Sequence, residues 1–251
     1  MNDANNGLFG TTAIVTGAGR GFGRAIALTL AAAGAHVVGA ARTSAQLDEL
    51  LDELGDAFTP VVADAADPAT ASRLLGEYRP RTLVLCAGAA PQMRPLQEHT
   101  WETFSRNWNV DVAQAFHWSR QALRLPLAPG SAVIALSSGA AVNGSPLSGG
   151  YAGAKATVRF ITGYAAVESK RAGLGIGFVS VLPRLTPATD LGAEAVAAYA
   201  ERQGVDVETF VRSSGPVLSP DQVGKAVLEI AGDSQEHDAY LLTSAGLSPL
   251  A

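Results

Sequence analysis

The sequence predicts an α/β fold, a doubly wound parallel β-sheet with helices on both faces, and three observations carry that expectation. Short β-branched runs alternate with helical patterns along most of the chain. The runs are nearly continuous in apolar residues, as strands covered on both faces must be. No internal repeat with a period of roughly 20–50 residues and no low-complexity linker breaks the alternation, so residues 1–251 read as one domain.

Strands are expected at 11–16, 36–40, 58–63, 82–86, 131–137, 175–182 and 239–243. Between the second and third, Leu47, Leu50, Leu51 and Leu54 fall at i, i+3, i+4 and i+7, one face of a helix, and Gly55 stands ready to end it. Asp67 before Pro68 supplies a capping carboxylate and a proline at the first helical position. The run Ser219-Pro220-Asp221-Gln222 does the same and adds a capping-box glutamine. Residues 186–216 depart from the rhythm, with a helical pattern flanked by prolines and glycines. Such an insertion reads either as a substrate-binding lid or as a plain surface excursion.

Composition excludes several classes. With 47% hydrophobic and 16% charged residues, the chain is not a disordered tail. Eighteen basic against 23 acidic residues leave a net charge of −5, so no basic surface for nucleic acid is implied. Trp101, Trp108 and Trp118 accordingly read as helix-packing aromatics rather than a base-stacking platform. The single cysteine rules out an internal disulfide and fits a reducing cytoplasm. The opening Met1-Asn2-Asp3-Ala4-Asn5-Asn6 lacks the basic stretch that begins a secretory signal. The longest apolar run, 25–41, is interrupted by Thr29, Gly34, His36 and Gly39, which suits a packed helix-turn-strand better than a membrane span. His36, His99, His117 and His237 show no metal-ligand spacing, so no metal is expected.

The first strand runs straight into Thr16-Gly17-Ala18-Gly19-Arg20-Gly21-Phe22-Gly23, followed by a helical segment. Glycines here allow a tight turn, let backbone approach a pyrophosphate, and leave helix N-terminal N–H groups free to bind it. Between the first strand and first helix of a doubly wound sheet, this loop points to a dinucleotide. Cofactor choice is written at the end of the second strand, where a carboxylate would hold the ribose hydroxyls of NAD. That stretch reads Gly39-Ala40-Ala41-Arg42-Thr43-Ser44, with no acid. Arg42 offers a planar fork suited to phosphate, and Arg20 lies in the loop itself, so NADP is the expected cofactor.

The fifth strand ends in Ser137-Ser138, and Tyr151 and Lys155 follow in Tyr151-Ala152-Gly153-Ala154-Lys155. Positions i and i+4 share a helix face, so the phenol and the ammonium can point into one site. On these residues the chain resembles the short-chain dehydrogenase/reductase family over essentially its full length, with the Rossmann-type sheet that implies. The motif TGxxxGxG spans Thr16 to Gly23. The resemblance implies that Asp64 and Ala65 meet the adenine, that Ala87, Gly88 and Pro183 line the cofactor, and that Lys155 holds the nicotinamide ribose. Ser138 would orient a substrate carbonyl and Tyr151 would exchange the proton. A free phenol with pKa near ~10 is a poor proton exchanger at neutral pH, and a nearby ammonium stabilises its anion. Ser138 can donate to the carbonyl oxygen as charge develops there.

Three positions depart from the family pattern. Cys86-Ala87-Gly88 stands where the family has Asn-Ala-Gly, and a cysteine in an apolar run reads as a small core residue. In the register set by Val110 and Phe116, Asp111 occupies the position of the family's fourth catalytic residue, an asparagine. Asn109 would take that role only after a register slip of about 200° around the helix. Arg184 follows Pro183 where glycine is usual.

The sequence therefore predicts an NADP-dependent oxidoreductase of the short-chain type, a carbonyl reductase in the cellular direction, with catalytic residues Ser138, Tyr151, Lys155 and Asp111. Pocket walls are expected from 89–93, 140–142, Tyr199 and Phe210, an apolar set that suits a hydrophobic carbonyl substrate. Two rivals stand beside it, an NADP-binding regulatory protein without turnover and a dehydratase or epimerase on the same fold. From the resemblance alone, a homodimer or homotetramer is expected through helices at 97–125 and 150–172.

Overall fold

The computed structural model describes residues 8–232 and 236–250. The opening hexapeptide read above for targeting signals lies outside them. Eight strands form one sheet in the order β3-β2-β1-β4-β5-β6-β7-β8. They are β1 (Thr12–Thr16), β2 (His36–Ala41), β3 (Phe58–Val62), β4 (Thr82–Leu85), β5 (Ala132–Leu136), β6 (Gly177–Pro183), β7 (Ala239–Thr243) and β8 (Gly246–Pro249). Every pairing is parallel except β7 with β8.

Each expected strand is present, with small shifts at its ends. The sixth begins at Gly177 rather than 175, because Gly175 takes φ +67° and turns the chain, its carbonyl accepting from Gly130 N at 2.6 Å. The eighth strand was not anticipated. Ser248 and Pro249 carry little strand propensity, and hairpin register with β7 holds them.

Helices cover both faces. On one side, α1 (Gly21–Ala32) packs on α10 (Pro220–Gly232), and Ile26, Leu30, Val223, Val227 and Ile230 are fully buried there. On the other, α3 (Pro68–Tyr78), α5 (Ala113–Arg124) and α7 (Gly149–Arg171) bury Leu74, Leu75, Trp118 and Val158. Each large apolar side chain so placed stabilises the fold by about 1.5–3 kcal/mol. The caps form as the sequence predicts. Asp67 Oδ1 accepts from Ala69 N at 2.9 Å, and Ser219 and Gln222 exchange side-chain to backbone bonds at 2.9 and 3.2 Å.

Two sequence expectations need correction. In α2 (Ser44–Leu54), Leu47 and Leu50 are fully buried but Leu51 is 37% exposed, because the stripe meets the sheet edge over only part of its width. Of the three tryptophans only Trp118 packs in the core. Trp101 is 78% exposed and stacks on Phe104, since it begins the peripheral helix α4 (Trp101–Asn107).

Beyond β6, α8 (Asp190–Gln203) and α9 (Val207–Ser213) build a satellite cluster of Val196, Ala200 and Phe210, with Tyr199 stacked on Phe210. The strand order reverses beside β1, between β2 and β4, and that switch point opens a crevice at the carboxyl ends of the strands. Among the described residues no helix is long and apolar enough to cross a membrane, and no group of three or more His, Cys, Asp or Glu comes together.

Candidate active site

The crevice is a cleft of about 1240 Å³, larger than the ~300–1,000 Å³ of a small-ligand pocket. Its floor is the turn from β1 into α1. Gly17 has φ +69°, and a Cβ there would lie 2.8 Å from the backbone of Ala87. A Cβ on Gly23 would sit 2.1 Å from the Gly17 carbonyl oxygen, so the turn admits no side chain at either position. Thr16 ties this turn to the end of β4: its Oγ1 donates to Gln114 Oε1 at 2.6 Å and accepts from Cys86 N and Ala87 N at 3.0 and 3.2 Å. Gln114 Nε2 returns a bond to the Ala87 carbonyl at 2.8 Å.

The N-terminus of α1 has neither a side-chain cap nor an acid in its first turn, and Gly21, Phe22 and Gly23 line the cleft. Free N–H groups at that end, with no Cβ on Gly21 or Gly23, fit a pyrophosphate. Arg42 lines the same end, exposed, with no side-chain partner among the described residues. Arg20 is instead engaged by Asp190, Nη1 to Oδ2 at 2.9 Å. Asp64 sits opposite, its Oδ1 accepting from Ala66 N at 2.9 Å, and the buried Ala65 carbonyl accepts from Trp118 Nε1 at 2.8 Å.

At the other end, Ser138, Tyr151 and Lys155 line the cleft together with Asp111, Gly88 and Pro183. Ser138 follows β5, and its Oγ accepts from Ala140 N at 3.2 Å. Gly139 N donates to the Pro183 carbonyl at 2.9 Å, which holds the ends of β5 and β6 side by side. Lys155 is buried on α7. Its Nζ donates to the Leu136 carbonyl at 2.9 Å and stands 5.7 Å from the Tyr151 ring centroid.

Asp111 belongs to a π-helical turn, Trp108–Val112, between α4 and α5. Such a turn inserts a residue into the helical ladder and re-aims its side chains. Asp111 is buried and Asn109 is exposed. Oδ1 forms an ion pair with Lys155 Nζ at 2.9 Å, without the alignment of a hydrogen bond. Oδ2 accepts from Ala89 N at 3.0 Å and from Asn107 Nδ2 at 3.3 Å, and Asn107 also donates to the Ala89 carbonyl at 2.6 Å. A side chain at Gly88 would meet Asp111 Oδ1 at 2.9 Å.

Burial acts to strip Lys155 of its proton, but the Asp111 carboxylate, with contributions from Tyr151 and Cys86, opposes it, and together they hold the ammonium pKa above its usual value. Burial also pushes the Cys86 thiol up to about 11, with Lys155 opposing and Asp111 adding to the effect. That thiol is neutral at ordinary pH; Cys86 is half-buried, packed against the core and lining the cleft.

The substrate end is less apolar than expected. Ala89, Pro91, Met93, Ala140, Tyr199 and Phe210 do line it, whereas Val142 points outward at 51% exposure. The short helix α6 (Ala140–Asn143) ends at Gly144, and the turn there carries Asn143, Ser145 and Ser148 into the wall. Ser145 Oγ contacts Tyr199 Oη at 2.5 Å and Ser148 Oγ at 2.6 Å. Arg184 is exposed on the rim, its backbone N bound to the Leu242 carbonyl at 2.9 Å. Asn107, Gln114 and Asp190 were not singled out in the sequence. Asn107 and Asp111 stand at i and i+4, but so do many surface pairs, and the other two act across long sequence separations.

A profile described as short chain dehydrogenase matches residues 11–200. The chain belongs to that family. It is thereby one of the nicotinamide-dependent oxidoreductases. An L-xylulose reductase from Mesocricetus auratus is 35% identical over 164 residues, covering 64% of this chain and 67% of that protein. A carbonyl reductase [NADPH] 2 from Sus scrofa is 35% identical over 127 residues, covering 49% of this chain and 52% of that one. The chain thus spans between about half and two thirds of these two relatives. The crystal structure of a xylitol dehydrogenase with NAD+ bound superposes with a TM-score of 0.79 over 90% of this chain and 94% of that one. At 21% identity it shows the fold alone.

Proposed function

We propose that this family member is an NADP-dependent carbonyl reductase. The observation that carries this reading is the convergence of Ser138, Tyr151 and Lys155 in one cleft with an uncapped, glycine-rich helix N-terminus. The absence of an acid at the end of β2 and the guanidinium of Arg42, without a side-chain partner among the described residues, support NADP over NAD.

In this reading the backbone N–H groups of Gly21 to Gly23 hold the pyrophosphate and Arg42 meets the 2′-phosphate. Asp64 faces the adenine, and Ala87, Gly88 and Pro183 flank the nicotinamide end. NADPH, when bound, supplies the hydride. Ser138 Oγ–H donates to the substrate carbonyl oxygen and stabilises the charge that develops there. The Tyr151 hydroxyl gives that oxygen its proton. Lys155, fixed by the Leu136 carbonyl and Asp111, keeps a positive charge beside the phenol. Asp111 is a positioning residue here, since its contacts are to Lys155, Ala89 and Asn107.

Residues 186–216 act as the lid, tied near its start by Arg20–Asp190 and nearer its middle by Tyr199–Ser145. The serines and Asn143 in the wall favour a small ketone that carries hydroxyl groups over the wholly apolar one first expected. Exposed Phe116 on α5 and Phe160, Tyr164 and Val167 on α7 support a homo-oligomer through those helices. The lone cysteine supports the cytoplasm as its compartment.

The test is a screen of ketones, hydroxylated ones included, with NADPH and NADH, following loss of reduced-cofactor absorbance. Reduction of at least one ketone with NADPH preferred supports the reading. NADPH binding without turnover across the panel supports the regulatory rival instead.

A further inference from the structure

Asp190 occupies the one cation of the glycine-rich loop. Arg20 Nη1 donates to Asp190 Oδ2 at 2.9 Å, and both side chains are largely exposed, 61% and 82%. The contact is not isolated. Thr189, the N-cap of α8, places its Cγ2 3.7 Å from where a Cβ on Gly21 would stand. The first turn of α8 therefore rests on the loop that precedes α1. Arg42, on the same end of the cleft, has no such partner among the described residues.

From this contrast we infer that Asp190 is a cofactor-selectivity residue, a carboxylate that competes with the 2′-phosphate of NADP(H) for the Arg20 guanidinium. The inference rests on the NADP reading above and extends it by giving Arg20, beside Arg42, a share in holding that phosphate. One guanidinium fork cannot serve the carboxylate and a phosphate at full strength, since both need the same N–H donors in the same plane. A phosphate arriving at Arg20 must displace Asp190, and its affinity is lowered by whatever the ion pair was worth. NADH has no 2′-phosphate and leaves the pair in place. Asp190 therefore depresses NADPH affinity and leaves NADH affinity alone.

The test is Asp190→Asn, read by fluorescence titration of the protein with NADPH and with NADH and no substrate present. The site is exposed and Thr189 still caps α8, so folding is preserved. NADPH should bind about two- to fivefold more tightly, equivalent to about 0.4–1 kcal/mol at 1.4 kcal/mol per decade, the range of an exposed ion pair. NADH should be unchanged. In an Arg20→Ala background the same substitution should do nothing, because the competitor has lost its object. Unchanged or weaker NADPH binding overturns the inference. So does equal tightening of both cofactors, which would reflect only the removal of a negative charge near any anionic ligand. Equal NADPH and NADH affinity in the unmodified protein would bear on the NADP reading alone. Selective tightening of NADPH in the variant would still support Asp190 as the competitor.

Discussion

The Lys155 ammonium stands 2.9 Å from Asp111 Oδ1, and both groups are buried beneath the candidate catalytic tyrosine. Where the family pattern has an asparagine, this chain places a carboxyl group paired with the ammonium. Burying two ions is costly unless they pair and their remaining valences are met. Here Leu136, Ala89 and Asn107 supply hydrogen bonds around the pair. The ammonium is thus held charged and in place, and part of its field at Tyr151 is cancelled.

The cofactor assignment predicts that Arg42→Ala weakens NADPH binding and spares NADH. A charge-assisted contact to phosphate contributes about 1.5–3 kcal/mol, or about 10- to 150-fold in affinity. Titration with the two cofactors checks this. Equal losses for both would place Arg42 away from the 2′-phosphate.

Tyr151→Phe keeps the ring beside Lys155 and removes the exchangeable proton. Turnover should fall by about 10²–10⁴-fold with NADPH affinity retained. Turnover at the unmodified level would mean that another group delivers the proton.

The Cys86 thiol, pushed up to about 11 by burial, should resist thiol reagents in the folded protein at neutral pH. Its reactivity should climb only as pH approaches that value, whereas the unfolded chain reacts freely. Rapid stoichiometric labelling of the native protein at neutral pH would contradict this account.

How much of this was legible in the sequence depends on the distance over which each feature is decided. Strands β1 to β7 and the turn at Gly17 and Gly23 are set by runs of adjacent residues. The convergence of Ser138, Tyr151 and Lys155 needs only a strand end and one helix face. Strand β8 was missed because pairing with β7 alone makes Ser248 and Pro249 extended. The Arg20–Asp190 contact joins residues 170 apart in sequence, and no local pattern announces it. The polar wall was missed for a related reason. A turn at Gly144, not a helical face, brings Ser145 against Tyr199.

The ion pair yields the prediction with the most at stake in pH. In the folded protein Lys155 binds its proton more tightly than its ordinary 10.5, because Asp111, Tyr151 and Cys86 together outweigh burial. A raised lysine pKa stabilises the fold fully below about 10.5, and that contribution is lost as pH rises through the folded value. Asp111→Asn leaves burial as the main influence, which pushes the ammonium pKa down and reverses the sign. The variant should be less stable at neutral pH, by on the order of 3 kcal/mol for a buried charge deprived of its partner. The gap between the two proteins should narrow as pH is raised towards about 10.5, since the variant sheds the uncompensated charge while the unmodified protein keeps it. Thermal unfolding over that range measures it directly. The alkaline fall in activity should move to lower pH in the variant, because the ammonium beside Tyr151 is lost earlier. Three titrating groups are coupled, so the profile reports the cluster as a whole. A stability gap that stays constant with pH would show that Asp111 does not hold the Lys155 proton. An alkaline limb shifted to higher pH would contradict the electrostatics outright.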